Sequence, residues 1–340
     1  MTTKNPEILA PEKFPEKREK YGSLIKIPER IERNITPSVI TESGEKGQKR
    51  FWEFFTVTIR NKNTRIAYLT AAHQFFDWCL ERGFKLETIL PMDVALYIET
   101  HPGSIPTIKQ HLAALRMLFD WLVIGHVIEF NPASSVRSPK YSYPKGKTPV
   151  LTAKQTRKFL DSIDTSHLVG LRDRALIGLM VFSFARVSAA IKMKIKDYYH
   201  QGDDSFFRLH EKGGKYNVVP AHITAQIYLD EYLKAAGIAD DKKAPLFRMS
   251  RSPRNKTKLS YDPMNRNAVL KMIKRRAKEA GFPEINCHSF RGTGITAYLK
   301  GGGTIEKAAF IAGHSSTRTT QLYDRTKNEI SQEEISRIVI

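Results

Sequence analysis

Residues 131–150 read NPASSVRSPKYSYPKGKTPV, and this stretch does most to limit how the chain can fold. It holds four prolines and Gly146, and its only charges are Arg137, Lys140, Lys145 and Lys147. Each proline removes a backbone donor and locks φ, so neither a helix nor an inner strand can run through it, while the lysines keep it solvated. A chain of 340 residues interrupted in this way is expected to form two domains. We take residues 137–150 as a basic interdomain linker, residues 46–136 as the first domain and residues 151–340 as the second.

The first domain has helical periodicity throughout. Leu69, Ala72, Phe76, Cys79 and Leu80 recur at helix spacing until Gly83, and Ile108, Leu112, Leu115, Phe119 and Leu122 do the same after Pro106. MDVALYIETH and the stretch from Phe51 to Arg60 add two more helices, giving a small bundle. Phe75, Phe76 and Trp78 are assigned to its core rather than to a base-stacking platform. Residues 1–45 are charged and proline-punctuated, and we expect an extended arm or partly disordered tail.

Beyond the linker, Thr152 is placed to cap a helix, and LRDRALIGLMVFSFARVSAA is apolar nearly all round, as a buried helix would be. SFFRLH and YNVVPA flank EKGGK and predict a β-hairpin. The chain is helical again from Asn265. The second domain is therefore mainly α with a small antiparallel sheet. Tyr198 and Tyr199 follow KMKIKD at the turn into that sheet and are expected to pack.

Charge narrows the partner. Lys and Arg number 55 against 35 Asp and Glu, a net charge of +20. Such an excess repels itself unless a polyanion is the usual neighbour. Two runs lack carboxylates altogether: one between Glu129 and Asp161, the other between Asp241 and Asp262 with Lys242, Lys243, Arg248, Arg251, Arg254, Lys256 and Lys258. They suit a phosphate track, and we name Arg137, Lys140, Lys145, Lys147, Arg251, Arg254 and Lys256 as candidate DNA-phosphate contacts. Cys79 and Cys287 lie far apart without metal-type partners, so neither a disulfide scaffold nor a zinc site is expected. No apolar run approaches a membrane span or a signal-peptide core, and we expect a cytoplasmic, nucleoid-associated protein.

Several polar residues have an ordinary structural role open to them when taken singly. Arg186, expected at the end of the buried helix, would serve in a salt bridge, and His288 and Arg291 in NCHSFRGTGIT in helix capping. His314 after Gly313 would cap carbonyls, Lys212 and Lys215 would be solvated, and Tyr323 would pack. Taken in order, Arg186, Lys212, His288-x-x-Arg291, His314 and Tyr323 resemble the tyrosine recombinases, the phage integrase family. The motifs run from about Leu171 to Arg325. His288 to Arg291 spans three residues, Arg291 to His314 spans 23, and nine more lead to Tyr323.

The resemblance implies a helical core-binding domain and an α+β catalytic domain that close on DNA as a C-shaped clamp. It implies a site-specific recombinase or integrase in which Tyr323 attacks a phosphodiester to leave a 3′-phosphotyrosyl link and a free 5′-hydroxyl. Bond energy is kept in that link, so no cofactor, metal or ATP is expected. Arg186 and Arg291 would hold the non-bridging oxygens, since a guanidinium fork suits two oxygens and stays charged. Lys212 would protonate the leaving oxygen, with Lys215 the competing assignment. His288 would act as acid/base and His314 would donate to a phosphate oxygen. The implied partners are a double-stranded recombination site, a homo-tetramer on DNA and accessory DNA-binding proteins. The tail, residues 326–340, ends in the apolar Ile335, Ile338, Val339 and Ile340, which are expected to dock either on their own chain or on a neighbouring subunit. Service to a mobile element is the expected role. A type IB topoisomerase-like relaxing enzyme and a catalytically silent DNA-binding protein are the alternatives.

Two positions depart from the family pattern. The short R-x-S-E-L motif usually has a glutamate that helps hold its arginine, where ARVSAA has Ala189. The residue after the second arginine is Gly292 rather than histidine or arginine. Either another group orients Arg186, or its precision falls.

Overall fold

The computed structural model describes residues 36–141, 146, 148–211, 214, 216–252, 255–324, 335, 336 and 338, with the side chains of 252, 255 and 256 left out. The chain divides into two compact units, residues 1–142 and 143–340. The division falls inside the proline-rich segment. Most of the expected arm, residues 1–35, lies outside the described residues.

The first unit contains α1 (Ser38–Glu42), α2 (Gly44–Glu53), α3 (Lys62–Leu80), α4 (Pro91–Thr100) and α5 (Ile105–Ile124). The arm boundary expected at 45 is too late, because Val39 and Ile40 of α1 are buried in the core. With only two apolar residues, α1 is too short to show a helical period. The helix expected from Phe51 starts earlier, at Gly44, and passes into a π-helical turn at Phe54–Thr58. That wider turn lets the consecutive Phe54 and Phe55 both face the core. Asn61 caps α3 by accepting from the backbone of Asn63 and Thr64. The aromatic stripe is core as expected: Phe75 meets Tyr97 and Phe119 edge-on, with centroids 5.0 and 5.9 Å away.

In the second unit Thr152 and Gln155 form a capping box at the start of α6 (Ala153–Asp161). The buried helix α7 (Leu168–Phe182) follows, but it stops eight residues before Ala190. Phe184 takes the left-handed φ of 53° and breaks it, so Arg186 is the N-cap of a separate short helix, α8 (Val187–Ala190). The unbroken apolar pattern hid that break. Three antiparallel strands follow in the order β1 (Tyr198–Gln201), β2 (Asp204–His210) and β3 (Tyr216–Pro220), with His210 paired to Tyr216 at the hairpin's end. Tyr198 is buried, as a packing residue should be.

After α9 (Ile223–Ala236) comes a second hairpin, β4 (Arg248–Ser252) and β5 (Asn255–Pro263). Sequence patterning missed it because lysine and arginine dilute the apolar alternation. The second basic run therefore lies on a two-stranded ribbon. α10 (Arg266–Glu279), α11 (Cys287–Lys300), α12 (Ile305–Ala312) and α13 (Thr317–Gln321) follow. α7 packs against α9 and α11. At Gly294 the two helices come so close that a Cβ would lie 2.0 Å from the Val181 carbonyl oxygen. This close approach sets the α11 residues beside the turn that carries Arg186. Among the described residues, no helix is long and apolar enough to cross a membrane.

Candidate active site

Arg291 is the buried centre of the site, 1% exposed. Its Nη1 donates to the Phe184 carbonyl, and its Nη2 donates to the Ala312 carbonyl at 2.6 Å. A left-handed backbone at a phenylalanine costs on the order of 1–3 kcal/mol, and it turns this carbonyl toward the guanidinium. One arginine thus ties the α7–α8 turn to the end of α12. Its Nε is buried and has no hydrogen-bond partner among the described residues. Burial first, then the neighbouring Arg186 charge, brings its pKa down to about 10, which leaves it cationic at neutral pH.

Arg186 extends from its N-cap position to Glu211, with Nη1 2.6 Å from Oε2. His288 sits in the first turn of α11, where Asn286 accepts its backbone N–H. Its Nε2 lies 2.6 Å from the Tyr323 hydroxyl. Burial, then Arg291 and Arg186, holds its pKa below the usual value of 6.5. His314 follows Gly313, whose φ of 59° ends α12 in the left-handed conformation that favours glycine. Its Nδ1 lies 2.8 Å from the Thr320 hydroxyl, and its ring is parallel to that of Tyr323 at 6.3 Å between centroids. The same causes, with His288 added, take His314 down to about 4. Both imidazoles are therefore neutral at neutral pH.

Tyr323 is 7% exposed, and its ring packs with Phe184, Ile295, Leu299, Ala308 and Ala312. Thr296 donates to its carbonyl, and its amide donates to Thr320. It is thus both a packed aromatic and a phenol facing a base. Gly292 gives the ring room: a Cβ there would lie 3.1 Å from Tyr323 Cε1 and 3.0 Å from Val150 Cγ1. This accounts for a glycine after Arg291.

The fold thus brings Arg186, His288, Arg291, His314 and Tyr323 of one chain into a single cluster that combines two guanidinium groups, two neutral imidazoles and a phenol. Such a set can bind a phosphate, deprotonate the phenol and stabilise the charge of a five-coordinate phosphorus. Lys212 and its competitor Lys215 lie outside the described residues, as do Lys145, Lys147, Arg254 and residues 325–334 of the tail region. Arg137, Lys140 and Arg251 are exposed, and Lys256 falls on β5. Among the described residues, no group of three or more His, Cys, Asp or Glu is arranged to hold a metal ion. Sequence reasoning missed Glu211 and Thr320. The signal for Glu211 was the missing acid at Ala189 together with a carboxylate beside Lys212 in EKGGK.

Residues 149–329 match the phage integrase family. The tyrosine recombinase XerD of Chlorobaculum tepidum is 28% identical over 272 residues, covering 77% of this chain and 85% of that protein. The tyrosine recombinase XerC of Pelobacter propionicus is 31% identical over 214 residues, covering 62% and 66%. Among solved structures, the XerH site-specific recombinase in its post-cleavage complex with palindromic difH superposes with a TM-score of 0.69 at 19% identity, covering 90% of this chain and 98% of that one. A lambda integrase tetramer bound to a Holliday junction gives 0.61 at 18% identity, covering 82% and 77%. At these identities the structural likeness speaks to the fold.

Proposed function

Because the chain belongs to the phage integrase family and is a site-specific tyrosine recombinase, we propose that Tyr323 is its nucleophile and that strands are cut and rejoined through a 3′-phosphotyrosyl intermediate. The observation that carries this proposal is the contact between the Tyr323 hydroxyl and His288 Nε2 at 2.6 Å, beside Arg186 and Arg291.

The Tyr323 oxygen forms a bond to phosphorus while its proton passes to His288. The bond from phosphorus to the 5′-oxygen breaks, and Lys212 supplies the proton that oxygen needs. Arg186 and Arg291 neutralise the charge gathering on the non-bridging oxygens, an effect worth on the order of 3 kcal/mol per clamp. When Thr320 donates to Nδ1 of His314, the imidazole keeps its proton on Nε2, and His314 then donates to a phosphate oxygen. Rejoining runs the same steps backward from a new 5′-hydroxyl. The phosphotyrosyl bond conserves the energy of the broken one, so neither metal nor ATP is required.

The substrate is a double-stranded DNA recombination site, and the working assembly is a homo-tetramer on DNA. The likeness to a lambda integrase tetramer on a Holliday junction supports that assembly. Tail exchange between neighbours, accessory DNA-binding proteins, residence on the nucleoid and service to a mobile element complete the proposal. The exposed Arg137, Lys140 and Arg251 suit phosphate contacts. Neither DNA relaxation nor catalytically silent binding is favoured, since the relatives are tyrosine recombinases and five catalytic positions converge.

A nicked suicide duplex, from which the short 5′ fragment diffuses away, tests the proposal. Wild-type protein should leave a protease-sensitive covalent adduct whose position maps the cleavage site. No adduct on any duplex that the protein binds specifically would refute it.

A further inference from the structure

We infer that Glu211 is the positioning residue that aims Arg186 at the scissile phosphate, replacing the carboxylate that α8 lacks at Ala189. The inference rests on the phosphotyrosyl proposal above and names a part of its machinery.

The Arg186 side chain is about a third exposed, 36%, and an arginine so placed has many rotamers to lose before it can act as a fixed clamp. Its own short helix cannot hold it: Ala189 is buried and offers only a methyl group. Glu211 provides the acceptor. Its side chain is 10% exposed, and its Oε2 lies 2.6 Å from Arg186 Nη1. A carboxylate this far from water is costly unless paired, so each partner fixes the other.

The anchor behind Glu211 is firm. A Cβ on Gly313 would lie 3.6 Å from Glu211 Cγ and Cδ, so the carboxylate stem runs along the backbone just before His314. Two residues from Gly313, the Ile311 carbonyl accepts from Asn217 of β3 at 2.8 Å, and the next carbonyl, at Ala312, accepts from Arg291. Glu211 is thus held in the same frame as Arg291 and His314, and it passes that frame on to Arg186. With Nη1 engaged, the rest of the guanidinium faces two phosphate oxygens in one orientation. Glu211 also directly precedes Lys212, so the carboxylate orienting the phosphate clamp sits at the root of the loop assigned to the proton donor.

The test uses full-length protein on the mapped suicide duplex in three forms: the natural phosphodiester, a 5′-bridging phosphorothiolate and a methylphosphonate. A thiolate departs without a proton, and a methylphosphonate lacks the charge that Arg186 neutralises. E211Q should bind the duplex as wild type does but cleave the phosphodiester on the order of 10²-fold more slowly, the scale of a misplaced catalytic group. The defect should persist on the phosphorothiolate and shrink on the methylphosphonate. E211D should restore part of the rate, and E211Q should add nothing in an R186A background. Thermal melting of each variant separates loss of fold from loss of rate, because loss of fold would slow all three substrates alike. Wild-type cleavage by E211Q, rescue on the phosphorothiolate alone, or additivity with R186A would overturn the inference while the wild-type adduct still upholds the proposed chemistry. If wild type forms no adduct, both fall.

Discussion

The hydroxyl of Tyr323 and Nε2 of His288 stand 2.6 Å apart, although 35 residues separate them in sequence. α11 presents the proposed base on its first turn, and the segment after α13 presents the phenol within the same chain. Removing that oxygen leaves the packing of the ring intact. Y323F should therefore bind DNA with wild-type affinity and give no covalent adduct, as gel shift and denaturing electrophoresis would record. H288A keeps the proposed nucleophile but loses the proposed base, and its single-turnover cleavage should fall by roughly 10²- to 10⁴-fold. An adduct from Y323F would identify another nucleophile.

The pH dependence has a definite sign. Only neutral His288 can accept the phenol proton, and burial with Arg291 and Arg186 lowers its pKa from 6.5. A base with a depressed pKa stays neutral as pH falls to its ordinary value and is lost only below it. The acid limb of single-turnover cleavage should therefore lie below pH 6.5, with more than half the plateau rate remaining at that pH. R186A removes one of the charges responsible, so it should shift the limb toward higher pH as well as lowering the plateau. A wild-type limb above 6.5 would mean that a different group takes the proton.

Gly292 makes a sterically specific prediction. A methyl group there would press on Tyr323 Cε1 at 3.1 Å and Val150 Cγ1 at 3.0 Å. α11 is anchored by its contact with α7 at Gly294, so the Val150 side chain and the tyrosine ring are the parts that give way. A displacement of a few tenths of an ångström should slow cleavage by about 10-fold. Helix propensity favours alanine by up to about 1 kcal/mol, so the melting temperature should hardly change. Cleavage of G292A at the wild-type rate would show that the ring has slack.

What the sequence made legible follows from how local each signal is. His288 and Arg291 share one helical turn, and Gly313 carries the stop before His314, so their local positions were legible, while the resemblance to the tyrosine recombinases supplied their grouping. The β2–β3 hairpin announced itself through Gly-Gly between two apolar strands. The break at Phe184 gave no such sign, because a left-handed phenylalanine is imposed by the tertiary bond from Arg291 to its carbonyl. The contact of Glu211 with Arg186 is equally non-local, spanning 25 residues between a strand end and a helix cap. Short α1 and the lysine-rich β4–β5 hairpin lack the apolar period by which helices and strands are recognised.

Asp173 tests the scaffold apart from the chemistry. It is fully buried in α7 and accepts from Arg172 at 2.6 Å and from Arg276 of α10 at 3.0 Å, with Arg275 at 3.5 Å. Arg172 also donates to the Arg248 carbonyl, so one carboxylate joins α7, α10 and β4. D173N keeps the shape and removes the charge, leaving Arg172, with its side chain 5% exposed, without its counterion, and leaving Arg276, 13% exposed, with only Glu279 at 3.3 Å. Stripping the partner from buried cations costs about 3–5 kcal/mol, a large share of the roughly 5–15 kcal/mol that keeps a domain folded. Urea unfolding of D173N should show that loss as a lower midpoint with an unchanged slope. Below the unfolding range its cleavage rate per folded molecule should match wild type, since no hydrogen bond of the catalytic cluster includes Asp173 among the described residues. A rate loss without a stability loss would instead connect Asp173 to Arg186 through the end of α7.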